Sequence, residues 1–73
     1  MPRYFFNIRR LDREDSDLRG MILSTDAAVL SHALRIIKDH INGGGHNDPG
    51  SMMIVRNESL QMVLAIPFLA GFA

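Results

Sequence analysis

The stretch from Ser24 to Gly45 reads STDAAVLSHALRIIKDHINGGG and predicts the helix around which the rest of the chain is arranged. Ser24 and Thr25 offer side-chain oxygens that cap a helix N-terminus, and Asp26 adds negative charge where the helix dipole favours it. The triple glycine after Asn42 ends the helix, because glycine adopts the left-handed conformation of helix C-caps at little cost. These signals predict one amphipathic helix of about four to five turns.

Apolar residues recur along this helix at intervals of three and four, which predicts the face that packs on the rest of the protein. The predicted packing residues are Ala27, Leu30, Leu34, Ile37 and Ile41. Flanking positions on the same side are Ala33 and, more peripherally, Val29 and Ile36. The opposite, solvated face is predicted to carry Ser31, His32, Arg35 and Asp39.

Strand patterns lie on both sides of the helix. Before it, Arg3 to Arg9 alternates in the manner of a strand, and the short apolar run Met21 to Leu23 predicts a second strand that pairs with the first. Arg10 to Arg19 is dense in charge and predicts a solvated loop between them. After the helix, Ser51 to Asn57 and Leu60 to Ile66 predict a second hairpin.

The order of these elements predicts a single small α+β domain over residues 1–73, with ββαββ topology. We expect an antiparallel or mixed four-stranded sheet with one helix packed on one face. The strand residues expected to be buried are Tyr4, Phe6, Ile8, Ile22, Ile54, Leu64 and Ile66. Apolar residues occupy both faces of the last strand, which indicates that something also covers part of the second face.

Composition narrows the classes of function. The 73 residues include eight Lys plus Arg and eight Asp plus Glu, so no net charge draws nucleic acid, anionic membranes or acidic substrates. The chain has no Cys and therefore no disulfide or thiolate chemistry. The apolar run from Leu60 to Ala73 is shorter than the roughly 20 residues that span a bilayer. Charges interrupt the N-terminal stretch, so we expect no signal peptide, no membrane association and a cytoplasmic location.

The opening MPRYFFNIR, the acidic loop that ends in Asp17-Leu18-Arg19-Gly20, the Ala/Leu helix and the closing hairpin together resemble a bacterial protein family. The family consists of short, mainly alphaproteobacterial proteins catalogued as a domain of unknown function. Its members tend to have Asp at the position of Asn7, an acidic residue at that of Arg19, and a glycine-containing turn at residues 57–59. The resemblance implies a small cytoplasmic ββαββ-like module and supplies no activity, cofactor or catalytic residue.

Three residues around the glycine run are candidates for metal binding. His40, His46 and Asp48 combine imidazole and carboxylate ligands that suit a divalent ion. The simpler interpretation is that His40 lies near the negative end of the helix dipole and His46 on a loop surface. We expect neither a metal nor another cofactor, and with no nucleophile paired to a base in the sequence we expect no enzyme.

An arginine cluster surrounds the first predicted strand. Its members are Arg3, Arg9, Arg10 and Arg13, and the neighbouring aromatic residues are able to stack on bases. Four acidic residues between Asp12 and Asp17 interleave with these arginines. Nucleic-acid or anion binding is therefore the alternative hypothesis rather than the leading one.

The C-terminal tail, residues 67–73, is apolar where chain ends are ordinarily polar. With Ile66, its Phe68, Leu69 and Phe72 form the predicted interaction surface. Burying each such side chain contributes about 1.5–3 kcal/mol, so the tail is expected to pack somewhere. Three partners remain open, namely the sheet of its own chain, the open sheet face or edge of a second copy, and a different protein.

These observations favour a non-enzymatic protein-interaction module. The leading hypothesis is a homodimer formed through the open sheet face and the C-terminal tail, since a domain of this size buries only about 60% of its unfolded surface and gains stability from a partner. An unidentified protein partner is the second possibility.

Overall fold

The computed structural model describes residues 2–11, 13–42 and 50–68. These residues form five strands and one helix, in the order strand, strand, strand, helix, strand, strand. The elements are β1 (Arg3–Arg9), β2 (Glu14–Asp15), β3 (Met21–Ile22), α1 (Asp26–Asn42), β4 (Met52–Arg56) and β5 (Met62–Pro67). The α+β class is confirmed, whereas the predicted count of four strands is one short of the five that the described residues form.

The additional strand lies inside the segment predicted to be a solvated loop. β2 is short, exposed and acidic, and its backbone pairs with Ile8 and Arg9 of β1. β3 pairs with Arg3 and Tyr4 near the other end of β1. The chain from Glu14 to Ile22 thus runs back along β1 in two short paired pieces. Because β2 consists of two exposed acidic residues, no hydrophobic pattern in the sequence predicts this strand.

All the strand pairs are antiparallel, in the order β2-β1-β4-β5, with β3 also on β1. Phe6 pairs with Val55 and Ile8 with Met53, which puts these side chains on one face of the sheet. This face meets α1 in a core that also contains Ile66 and Phe68.

The helix is rotated relative to the prediction. Its buried residues are Val29, Ala33 and Ile37, spaced by four, while Leu34, Ile36 and Ile41 are partly buried against them. The prediction is wrong for Ala27, which is exposed, and for Leu30, which keeps 43% of its surface. His32, expected on the solvated face, instead packs edge-to-face on Phe6 with ring centres 4.7 Å apart.

Two of the described residues are buried on the second face of the sheet. Ile54 is 2% exposed but alternates with the core residues of β4, so its burial, although predicted, is on the face away from the helix. Its neighbour Asn7 is 7% exposed and donates from Nδ2 to Glu14 Oε2 over 3.0 Å. The burial predicted for Ile22 is wrong, because β3 is two residues long and leaves that side chain 47% exposed.

Asp17 fills the gap on the edge of β1 between β2 and β3. Its Oδ2 accepts from the N–H of Phe6, and its Oδ1 accepts from the N–H groups of Arg19 and Gly20, each over 3.1 Å. The N–H of Asp17 itself donates to Asn7 Oδ1 over 2.8 Å. Partial burial acts to raise the pKa of Asp17. The three hydrogen bonds that its carboxylate accepts from backbone N–H groups outweigh this effect and hold the pKa below its ordinary value.

The hairpin between β4 and β5 is closed by a three-residue loop. The N–H of Leu60 donates to the carbonyl of Asn57, and the N–H of Asn57 donates to the carbonyl of Gln61, both over 3.0 Å. Leu60 has a φ of 65°, the left-handed conformation that such loops ordinarily assign to glycine. Leu60 is 70% exposed, so little packing compensates for the strain.

Candidate interaction surface

β5 forms one end of the sheet. Among the described residues its only strand partner is β4, so one side of its backbone faces outward. No charged residue occurs from Ser59 to the end of the sequence. Met62 and Val63 on this strand are 58% and 46% exposed. The result is an uncharged, partly apolar strand edge.

Backbone alternation identifies the outward-facing groups of β5. The N–H of Phe68 donates inward to the carbonyl of Ser51, the residue that precedes β4. The backbone N–H and C=O groups of an antiparallel strand point toward its partner at every second residue. Those of Ile66 therefore also point toward β4, whereas those of Ala65 and Pro67 point away from it. Proline has no N–H to leave unsatisfied, so its outward position is the one that a strand tolerates. Ala65 therefore presents both a backbone donor and a backbone acceptor at the edge.

A β-bulge redirects the side chain of Val63. Val55 pairs with Leu64, but the next residue of β4, Arg56, pairs with Met62, so Val63 is the extra residue. Val63 lines a groove on the helix side together with its neighbour Leu64. Strict alternation would have put the two side chains on opposite faces.

The groove lies between the start of α1 and the sheet and has a volume of about 570 Å³. Its lining residues are Tyr4, Asp26, Val29, Leu30, Val63 and Leu64. Leu30, the helix residue whose predicted burial is wrong, is 43% exposed here. The groove and the β5 edge share Val63 and Leu64, so they form one continuous surface, which we call the β5 surface.

The structure describes two of the four residues of the predicted interaction surface, Ile66 and Phe68. Ile66 and Phe68 are 7% and 2% exposed within the core of a single chain, and the Phe68 ring packs edge-to-face on His40 at 5.6 Å. These two side chains therefore pack in cis, the first of the three possibilities. Leu69 and Phe72 lie outside the described residues.

A small ionic cluster lies where the end of β1 meets the last turn of α1. Arg10 Nε donates to Asp15 Oδ2 over 2.9 Å, and Arg13 Nε lies 3.5 Å from Asp15 Oδ1. The Arg10 hydrogen bond, opposed by slight desolvation and reinforced by the charges of Arg13, Arg10 and His40, lowers the pKa of Asp15. His40 Nε2 lies 3.5 Å from Arg10 Nη2.

This cluster bears on the metal hypothesis. In the described ranges, no three His, Asp or Glu side chains come together as a metal site. A cation beside His40 would meet the positive charge of Arg10. His46 and Asp48, the other two candidate ligands, lie outside the described residues.

The four arginines of the alternative hypothesis are spread over the sheet. Arg3 Nη1 donates to the carbonyl of Arg19 over 2.7 Å, and Arg10 and Arg13 both contact Asp15. Arg10 reaches the helix side, while the neighbouring Arg9 belongs to the opposite face by alternation. The geometry does not collect them into one basic surface.

Sequence reasoning missed Val63, Ala65 and Leu30 as surface residues. The missing charge after Ser59 was visible in the sequence, but the bulge and the rotation of the helix were not. No helix among the described residues is long and apolar enough to cross a membrane.

The fold and its open edge define a small α+β domain built around an antiparallel sheet. A family model described as a domain of unknown function (DUF6894) matches residues 3–70. The chain therefore belongs to the DUF6894 family. Neither a curated protein nor a solved structure gives a significant match.

Proposed function

We propose that this domain is a non-enzymatic protein-interaction module that binds a second copy of itself through the edge of β5. The observation that carries the proposal is the outward-facing, uncharged backbone of β5 beside the exposed Met62 and Val63. Two such edges pair antiparallel into one continuous sheet, as in other cases of strand addition.

The lack of charge on this edge supports the proposal. Edge strands of monomeric proteins are ordinarily protected by Lys or other charges, by proline, or by bulges, since an open edge recruits other strands. Here the bulge at Val63 and the proline at position 67 bound the strand at its two ends. The segment between them, Leu64 to Ile66, has neither charge nor proline.

A second copy is the partner that fits this edge most simply. An antiparallel pair is self-complementary, because a residue that offers one N–H and one C=O exchanges both with its symmetry mate. Ala65 is such a residue. The net charge of zero means that no overall repulsion opposes association. The proposed setting is the cytoplasm of a bacterium.

Sedimentation equilibrium of the full chain tests the proposal, with Ala65→Pro as the disrupting variant. Proline removes the outward N–H of residue 65 without removing a hydrogen bond to β4, so the single chain is expected to stay folded. Ala65→Val is the matched control, since it retains the N–H and favours strand structure.

The expected result is a dimer for the full chain and for Ala65→Val, and a monomer with an unchanged circular dichroism spectrum for Ala65→Pro. A full chain that stays monomeric at high concentration would overturn the proposal. If Ala65→Pro dimerised as strongly as the full chain, the interface would lie elsewhere than at this edge. Association that weakens steeply with added salt would indicate charged contacts instead of apolar ones.

A further inference from the structure

We infer that the groove beside β5 is the second half of the same self-interface, in which Leu30 and Val63 of each copy pack against apolar residues at the β5 edge of the other. This inference rests on the proposed function. It adds the side chains that determine affinity to a contact otherwise made by backbone groups.

The area of the strand edge is the first argument. Six residues of β5 extend about 20 Å, and with strands about 5 Å apart the backbone edge offers roughly 100 Å². A stable protein interface buries about 800 Å² on each partner. Side chains next to the edge must therefore supply most of a stable contact.

Exposed apolar side chains beside the edge are the second argument. Leu30 and Val63 line the groove and are 43% and 46% exposed, although they belong to the apolar face of the helix and to a strand. Among the six lining residues only Asp26 is charged. The bulge puts Val63 on this side of the sheet and so increases the apolar surface of the groove.

Symmetry is the third argument, and it selects the occupant. Two antiparallel edge strands in one sheet are related by a two-fold axis perpendicular to that sheet. Such an axis keeps both helices on the same side of the joined sheet, and with Ala65 opposite its symmetry mate each groove lies beside the far end of the other copy's β5. A second copy thus brings an uncharged, apolar strip to the groove, whereas a partner strand with charged side chains at these positions would have to bury them.

Leu30→Lys tests the inference, and Ser31→Lys is its matched control. Both variants add one positive charge to the first half of α1, but Ser31 lies outside the groove lining. Val63→Thr is the second variant, because it keeps the β-branched shape and replaces a methyl group by a hydroxyl. The dimer dissociation constant is measured by sedimentation equilibrium, and urea unfolding of each variant at low concentration checks its fold.

Leu30→Lys is expected to raise the dissociation constant at least tenfold and Val63→Thr several-fold, with Ser31→Lys close to the original chain. Dimerisation unaffected by Leu30→Lys and Val63→Thr would overturn the inference while leaving the proposed function in place. A monomeric original chain would instead overturn the proposed function. An equal effect of Ser31→Lys and Leu30→Lys would show a general charge effect and would also overturn the inference.

Discussion

The carboxylate of Asp17 accepts a hydrogen bond from the backbone N–H of Phe6 over 3.1 Å, midway along the edge of β1. The same side chain accepts from the N–H groups of Arg19 and Gly20. One acidic residue thus holds the returning chain against β1 where neither β2 nor β3 pairs with it. The Asp-Leu-Arg-Gly stretch singled out in the sequence is, by this geometry, a structural connection.

Replacement of Asp17 by Ala is expected to destabilise the domain by about 2–3 kcal/mol, since three backbone donors lose a charged acceptor. Urea unfolding followed by circular dichroism measures the change. Ser16→Ala, at an exposed neighbouring position, is the control and is expected to change stability by less than about 0.5 kcal/mol. A loss of stability that is no larger for Asp17→Ala than for Ser16→Ala would contradict this account of the loop.

Stability is expected to fall in acid through Asp17. The pKa of this carboxyl lies below its ordinary value of 3.8 in the folded protein. Its ionised form therefore contributes stability that is complete above about pH 4 and is lost as the pH falls through the folded pKa. Asp15, whose pKa is lowered mainly by its hydrogen bond from Arg10, acts in the same direction.

The urea midpoint measured from neutral pH down to about pH 2 shows this dependence. Asp17→Asn removes the titrating group, so its midpoint is expected to change less with pH than that of the original chain. Parallel pH profiles for the two proteins would mean that Asp17 is not responsible.

Gly20→Ala is expected to destabilise the domain by at least about 2 kcal/mol. Gly20 has a φ of 72°, and an added Cβ would lie 2.8 Å from the Tyr4 carbonyl oxygen and 2.9 Å from Arg3 Cγ. Gly50→Ala is the matched control, because the three atoms nearest to its added Cβ all belong to the side chain of Leu11, a residue that is 86% exposed and free to move. Thermal unfolding compares the two variants, and equal losses would contradict the argument from backbone conformation.

Leu60→Gly is expected to stabilise the domain by about 1 kcal/mol. The left-handed conformation costs a non-glycine residue about 1–2 kcal/mol, and glycine loses part of that gain to its greater freedom when unfolded. Ser59→Gly, in the same loop but without a positive φ, is expected to be neutral or destabilising. Differential scanning calorimetry provides the measurement, and a lower melting temperature for Leu60→Gly would refute the prediction.

The sequence predicts those parts of the fold that are marked by apolar periodicity or by strong end signals. The helix from Asp26 to Asn42 has both, and the alternation in β1 and β4 correctly separates their two faces. β2 has neither signal, because its Glu14 and Asp15 pair through backbone atoms.

The candidate surface is less accessible to sequence reasoning because it depends on three-dimensional detail. Leu30 fits the helical period, and only the packing through Val29 and Ala33 shows that it lies at the margin. The bulge at Val63 depends on the register between β4 and β5, which periodicity does not determine. The predicted tail residue Phe68 has the apolar character of an interface, yet it completes the core of its own chain.

The hydrogen-exchange rate of the Ala65 amide, measured by NMR as a function of protein concentration, tests self-association through β5 directly. In a single chain this N–H faces outward from the sheet edge, so it exchanges fast when the protein is dilute. We expect exchange at Ala65 to slow as the concentration rises, while the amide of the 90% exposed Leu18 stays fast. An Ala65 exchange rate that is the same at every concentration would contradict self-association through β5.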